Sequence, residues 1–221
     1  MKNFFYRVCL FVLSVVCVTP QNADDPIKKR NPNKVDDFAD IYERIYRKEM
    51  LQNFESDALE DIFEPVKSNA DVFLSDELPP PITESQRYTV VRLRSSEVRR
   101  VRLEFKTPLN IERHCRAFTL WLNVEKIRAR LSLIVEDREG TRYFLDGGLL
   151  EFRGWRKIRF TVGGRIRQYD LYLNEKAALK LKGIEIVFAQ NYTKGKLPIL
   201  LIDEIAVETR MKYQIPPALR K

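Results

Sequence analysis

The sequence predicts an all-β fold, a β-sandwich carrying an N-terminal helical extension. Three observations predict it. Between residues 117 and 162 apolar residues fall at every second position: Phe118, Leu120, Leu122 and Val124, then Leu131, Leu133 and Val135, then Ile158, Phe160 and Val162. Successive side chains of a strand point to opposite faces, so each run makes a strand with one apolar face. The spacers Asp137-Arg138-Glu139-Gly140, Asp146-Gly147-Gly148 and Gly163-Gly164 are residue types that favour turns. Short strands separated by such turns are the pattern of a sandwich. Near the N-terminus the period changes: Phe38, Ile41, Tyr42 and Ile45 are spaced as one stripe of a helix.

From the start, residues 1–23 read as a secretory signal. Lys2 and Arg7 precede an apolar run from Val8 to Val18 that is shorter than the roughly 20 residues of a spanning helix. Cleavage is expected near Ala23. Cys17 after the apolar run suggests a lipoprotein, but the bulky Val16 before it argues against lipidation. Residues 24–34 are polar and basic, as a flexible arm would be. A helix is expected over 35–50, capped by Asp36 or Asp37 and supported by Glu43 and Arg47 at i,i+4. Its stripe of Phe38, Ile41, Tyr42 and Ile45 needs a surface to lie on, either its own sandwich or a neighbouring subunit.

The sandwich is expected over 51–210, interrupted at 56–81 by an acidic excursion that ends in Pro79-Pro80-Pro81 and holds a short helix at 58–63. Strands follow at 88–93 and 98–105. In the second, Val101, Leu103 and Phe105 point one way, and Arg100, Arg102, Glu104 and Lys106 the other. This basic stretch reads either as a solvated face or, through Arg100 and Arg102, as a docking face for an acidic protein surface. Further strands are expected at 167–173, 183–189 and 197–210, with a helical or loop crossover at 174–182. The last strand places Ile199, Leu201, Asp203, Ile205 and Val207 on one face, with apolar residues also on the other. Residues 211–221 form a basic tail.

Charge and cysteine use narrow the function. The net charge is +8, and losing the leader removes two of 39 bases and none of 31 acids, leaving about +6. That excess suits an acidic partner or plain solubility, and a secretory leader argues against nucleic acid. Beyond the leader Cys115 stands alone, so no internal disulfide forms. His114 beside it is the sole histidine. Neighbours on a strand face opposite ways, so the pair is badly placed as nucleophile and base, and no zinc cluster exists. His114 reads as ordinary surface and Cys115 as a buried small residue. Carboxylates such as Asp137 and Glu139 mean little without a cleft, and the chain is not expected to be an enzyme.

Several runs together resemble a known family. They are Leu131-Ser-Leu-Ile-Val-Glu-Asp-Arg-Glu-Gly140, then Leu149-Leu-Glu-Phe-Arg-Gly-Trp-Arg-Lys-Ile-Arg-Phe160, then Ile166-Arg167-Gln168, and finally Ile202-Asp203-Glu204-Ile205. In order and spacing they resemble the spirochaete flagellar filament outer-layer (sheath) protein family, over roughly 105–210. The resemblance implies a jelly-roll β-sandwich like that of carbohydrate-binding modules. It implies an exported structural subunit that coats periplasmic flagella, with flagellin core subunits and other sheath proteins as partners. Trp121 alternates with Leu120 and Leu122, so it faces away from them and is the expected interface anchor. Trp155 is expected in the core with Ile158 and Phe160. The rival reading is an exported carbohydrate-binding jelly-roll module. Asn53-Phe54-Glu55 and Leu201-Ile202-Asp203-Glu204 loosely fit the first and last strands of such modules, in which two acids of that kind share a structural Ca2+. Glu55 and Asp203 are therefore the candidate Ca2+ ligands, and Trp121 the candidate sugar platform.

Overall fold

The computed structural model describes residues 45–55, 58–78, 85–169, 178–189 and 197–210. Along these the chain forms β1 (Tyr46–Gln52), α1 (Leu59–Ile62), β2 (Ala70–Ser75), β3 (Tyr88–Leu93) and β4 (Arg100–Ile111). Then come β5 (Cys115–Glu125), β6 (Ala129–Glu136), β7 (Arg142–Leu149), β8 (Arg153–Thr161), β9 (Leu179–Phe188) and β10 (Ile199–Arg210). All pairings are antiparallel, and the strands make two sheets of a jelly-roll β-sandwich. One sheet is ordered β2-β3-β10-β5-β8, with β1 pairing β10 beyond the end of β3; the other is β4-β9-β6-β7.

Alternation explains the core. Phe118, Leu120, Leu122, Phe160 and Ile202 from the first sheet meet Leu103, Leu131, Leu133, Ile184 and Ile186 from the second, all closed to solvent. Each such side chain contributes about 1.5–3 kcal/mol by leaving water. Below α1, Phe63 stacks on Phe105 at 5.0 Å and lies 6.2 Å from Phe54. Gly183 in β9 faces the backbone carbonyl of Leu103 so closely that any Cβ would collide with it.

Several expectations are corrected. The helix expected over 35–50 does not extend to its end: residues 46–50 are strand, with Tyr46 opposite Arg210 and Met50 opposite Ala206. Without β1, this stretch of β10 would have a bare edge, and pairing it overrides local helix preference. Tyr46 also lies under the Arg116 guanidinium at 4.3 Å. The earlier part of that helix lies outside the described residues. Second, the excursion at 56–81 contains β2, paired along its whole length with β3.

Third, Asp146-Gly147-Gly148 is not a turn but the end of β7. Gly147 is needed there because the Phe160 ring occupies the place of a Cβ, and Gly148 adopts a φ of 87°. Likewise Leu179–Lys182 is strand rather than crossover, and 167–169 is not strand. Fourth, β10 does not keep one parity. A register shift between Asp203 and Ala206, with Glu204 at φ 39°, turns Ile205 and Val207 to the core side with Leu200 and Ile202. A bulge of this kind adds one residue and flips the alternation after it.

Candidate functional site

The outer face of the larger sheet carries both tryptophans. Trp121 stands on β5 between core-facing Leu120 and Leu122 and is half-buried. Trp155 was expected in the core, yet Ile158 and Phe160 point inward and position 155 has the opposite parity. It packs instead on the outer side with Tyr88, Val90 and Leu201, edge-on to the Tyr88 ring at 5.8 Å. Counting parity from Ile158 predicts this placement. In the ladder Trp155 is opposite Asn123 and Trp121 opposite Lys157, so the tryptophans are diagonal neighbours on one face.

Arg100 and Arg102 lie on the outer face of the smaller sheet. Glu185, almost closed to solvent, serves both: Arg102 Nη2 is 2.7 Å from its carboxylate and Arg100 Nε 3.5 Å. Arg102 also lies 5.9 Å from the exposed Phe144 ring. The structure does not bring Arg100 and Arg102 together with Trp121, since they stand on different sheets. Ile45 is half-buried just before β1, and Phe38, Ile41 and Tyr42 lie outside the described residues.

Glu55 and Asp203 do converge, through a residue that sequence reasoning missed. Ser85 Oγ lies 3.0 Å from Glu55 Oε1 and 2.7 Å from Asp203 Oδ2. Glu55 Oε1 also accepts the N–H groups of Gln86 at 2.8 Å and Arg87 at 3.0 Å, and Arg87 Nη1 donates to the Glu55 carbonyl at 2.9 Å. Asp203 Oδ1 accepts the N–H of Glu204 at 2.7 Å. Burial pushes the Glu55 carboxyl up, but the Arg87 and Gln86 donors and the Ser85 hydroxyl outweigh it, leaving it below its ordinary value. Burial pushes Asp203 up to about 6, against the Ser85 and Glu204 donors.

Ca2+ takes 6–8 oxygen ligands. Here Glu55 Oε1 and both Asp203 carboxylate oxygens accept N–H or hydroxyl hydrogens, and Arg87 donates to the Glu55 carbonyl, so these groups are engaged within the protein. The three residues form a hydrogen-bonded clasp between the end of β1, the approach to β3 and the bulge of β10. No sequence spacing identifies Ser85, which lies 30 residues from Glu55 and 118 from Asp203.

The runs that carried the family resemblance turn out to solve backbone problems. Asp137 Oδ1 accepts the N–H of Glu139 and of Thr141, both at 2.9 Å, and closes the β6–β7 hairpin with Gly140 at φ 83°. Gly154 at φ 77° lets β8 begin beside buried Phe152. Gln168 is buried and acts as a surrogate strand. Its Oε1 accepts the Cys115 N–H at 2.7 Å, and its Nε2 donates to the Cys115 carbonyl at 2.8 Å. Cys115 is fully buried, and burial raises its thiol pKa, so it is no nucleophile. His114 is not plain surface: it is half-buried and stacked on Tyr169 at 5.6 Å, and burial with nearby Arg210 lowers its pKa.

Comparison with known proteins follows the same stretch. The family model described as "Flagellar filament outer layer protein" matches residues 110–213. This is the family that the sequence resembles, and the matched segment begins at the end of β4 and takes in β5 to β10. Among solved structures, the carbohydrate-binding module TmCBM61 in complex with β-1,4-galactotriose is 15% identical, with a TM-score of 0.42. It covers 72% of this chain and 99% of its own. The family 11 carbohydrate-binding module of the cellulosomal cellulase Lic26A-Cel5E of Clostridium thermocellum is 11% identical, with a TM-score of 0.43. It covers 76% of this chain and 98% of its own. A search of curated proteins finds no match.

Proposed function

We propose that this chain is an exported structural subunit of the outer layer of a periplasmic flagellar filament. It coats the flagellin core together with other sheath proteins and contributes to filament stiffness or curvature. The observation that carries this reading is the family match over 110–213, which includes the last six strands of the sandwich. The same segment holds Trp121, a large rigid side chain left half-buried on an outer sheet face, as an interface anchor would be. Arg100 and Arg102, on the outer face of the other sheet, offer a second contact surface, and the sequence stripe of Phe38, Ile41, Tyr42 and Ile45 a further docking element. The leader at 1–23 carries the chain to the periplasm.

The test is mass spectrometry and immunoblotting of purified periplasmic filaments from the source cell. The expected result is the chain without its leader, in near-stoichiometric abundance with the flagellins. Trp121→Ala should fold, by circular dichroism, yet be lost from filaments. Finding the wild-type chain only in the soluble periplasm overturns the reading. Glycan binding by the Trp121–Trp155 face would then be the function to test.

A further inference from the structure

β4 is an edge strand. One side pairs with β9; among the described residues the backbone of the other side meets a bridge from Phe63 to Phe105 and the N–H of Glu64, which donates to the Glu104 carbonyl at 2.8 Å. The chain then leaves this edge, and at Ala70 it enters the other sheet as β2. Its departure opens a groove of about 980 Å³ between residues 64–68 and the strand. In an antiparallel strand the peptide groups of alternate residues point to alternate sides. The Arg99 carbonyl accepts from Phe188 of β9 at 2.8 Å, while the Glu104 carbonyl points to Glu64. Parity therefore turns the peptide groups of Arg100 and Arg102 to the open side, into the groove.

The groove is also electropositive. Lys67, Arg100, Arg102, Lys106, Arg142 and Lys182 line it against Glu64 and Glu104. The internal counter-charges are shared out: Glu185 serves both Arg100 and Arg102, Glu104 lies 3.7 Å from Arg102, and Glu136 serves Lys180, Lys182 and Arg142 at 3.2, 3.7 and 4.0 Å. A bare edge beside surplus positive charge is an incomplete interaction on two counts.

We propose that the open edge of β4 takes up an extended acidic polypeptide segment as an added strand. Its backbone would pair with the peptide groups of Arg100 and Arg102, and its carboxylates, at every second position, would meet the two guanidiniums on the outer face. Strand addition draws affinity from main-chain hydrogen bonds and specificity from alternate side chains. A peptide is favoured over an anionic glycan because the open backbone groups recur at strand spacing. The one aromatic residue in the lining, Phe105, is buried, and the exposed Phe144 ring nearby faces the Arg102 guanidinium at 5.9 Å. The proposal concerns the purified chain alone, so its failure would leave the flagellar reading untouched.

The test uses the purified chain and a synthetic peptide with Glu alternating with Val and Thr, followed by fluorescence anisotropy and by hydrogen exchange at single amides. Expected are saturable, salt-sensitive binding and slowed exchange at Arg100 and Arg102. The Arg100→Glu, Arg102→Glu double variant should bind at least about tenfold more weakly. A peptide N-methylated on its strand-facing amides probes the same pairing without altering the protein, and it should not bind. Absence of binding, binding without protection of these amides, or full binding of the N-methylated peptide overturns the proposal. So does preferential binding of polygalacturonate.

Discussion

Replacing Asp203 with Asn should make this protein more stable at neutral pH. Asp203 is 0% exposed, and its Oδ2 lies 2.7 Å from Ser85 Oγ, which in turn lies 3.0 Å from Glu55 Oε1. A serine hydroxyl has one proton. With both carboxylates ionised, one of these two short contacts has no hydrogen in it. An Asn amide supplies the missing donor to Ser85 Oγ, while its carbonyl keeps the Glu204 N–H. Burial raises Asp203 from 3.8 to about 6, so the folded chain holds this proton more tightly than the unfolded chain does. The stability it brings is full below 3.8 and is lost as pH rises through about 6. At about 1.36 kcal/mol per pH unit, the ionised Asp203 costs about 3 kcal/mol at neutral pH. The assay is urea denaturation of both chains, near pH 4 and near pH 7.5. The Asn variant should gain up to about 3 kcal/mol at the higher pH and match the native chain at the lower one. Taking the difference between chains cancels the titrating groups that do not interact with Asp203, leaving Asp203 and its neighbours Glu55 and Glu204. A variant no more stable at pH 7.5, or a difference independent of pH, refutes the reasoning.

Gln168→Ala strips the partners from a buried N–H and a buried carbonyl of Cys115; a loss of about 2–4 kcal/mol is expected in the same urea assay. Gly183→Ala drives a Cβ into the Leu103 carbonyl, where backbone rather than a side chain must yield. It should cost at least about 2 kcal/mol or abolish folding, as read from soluble yield and melting temperature. Cys115 is buried with its thiol pKa raised, so in the leader-free chain iodoacetamide should label it only after denaturant is added. Millimolar Ca2+ should leave the melting temperature unchanged; a rise would show that the clasp of Glu55, Ser85 and Asp203 rearranges to hold the ion.

The sandwich was legible because its central strands are local and regular. Phe118 to Val124, Leu131 to Val135, and Ile158 with Phe160 state their inner face by alternation alone. Turn chemistry around Asp137 and Gly140 was equally plain, since an Asx turn is made within five residues. The motifs that announced the family were visible for the same reason, but what they encode is backbone geometry rather than a binding site. The clasp was half legible: its two acids stand out beside apolar strand ends, whereas the serine that joins them does not.

What the sequence by itself determined was the class of fold, the inner face of each regular strand and the family resemblance. These follow from periodicities within single segments. Tertiary structure alone decided the rest. The edge of β10 draws residues 46–50 into a strand, because unpaired peptide groups cost more than helix propensity returns. The bulge at Asp203 and Glu204 resets parity for the remainder of β10. The open side of β4 exists because residues 64–68 leave it for the other sheet. Edges, bulges and grooves are relations between segments distant in sequence, and no local pattern records them.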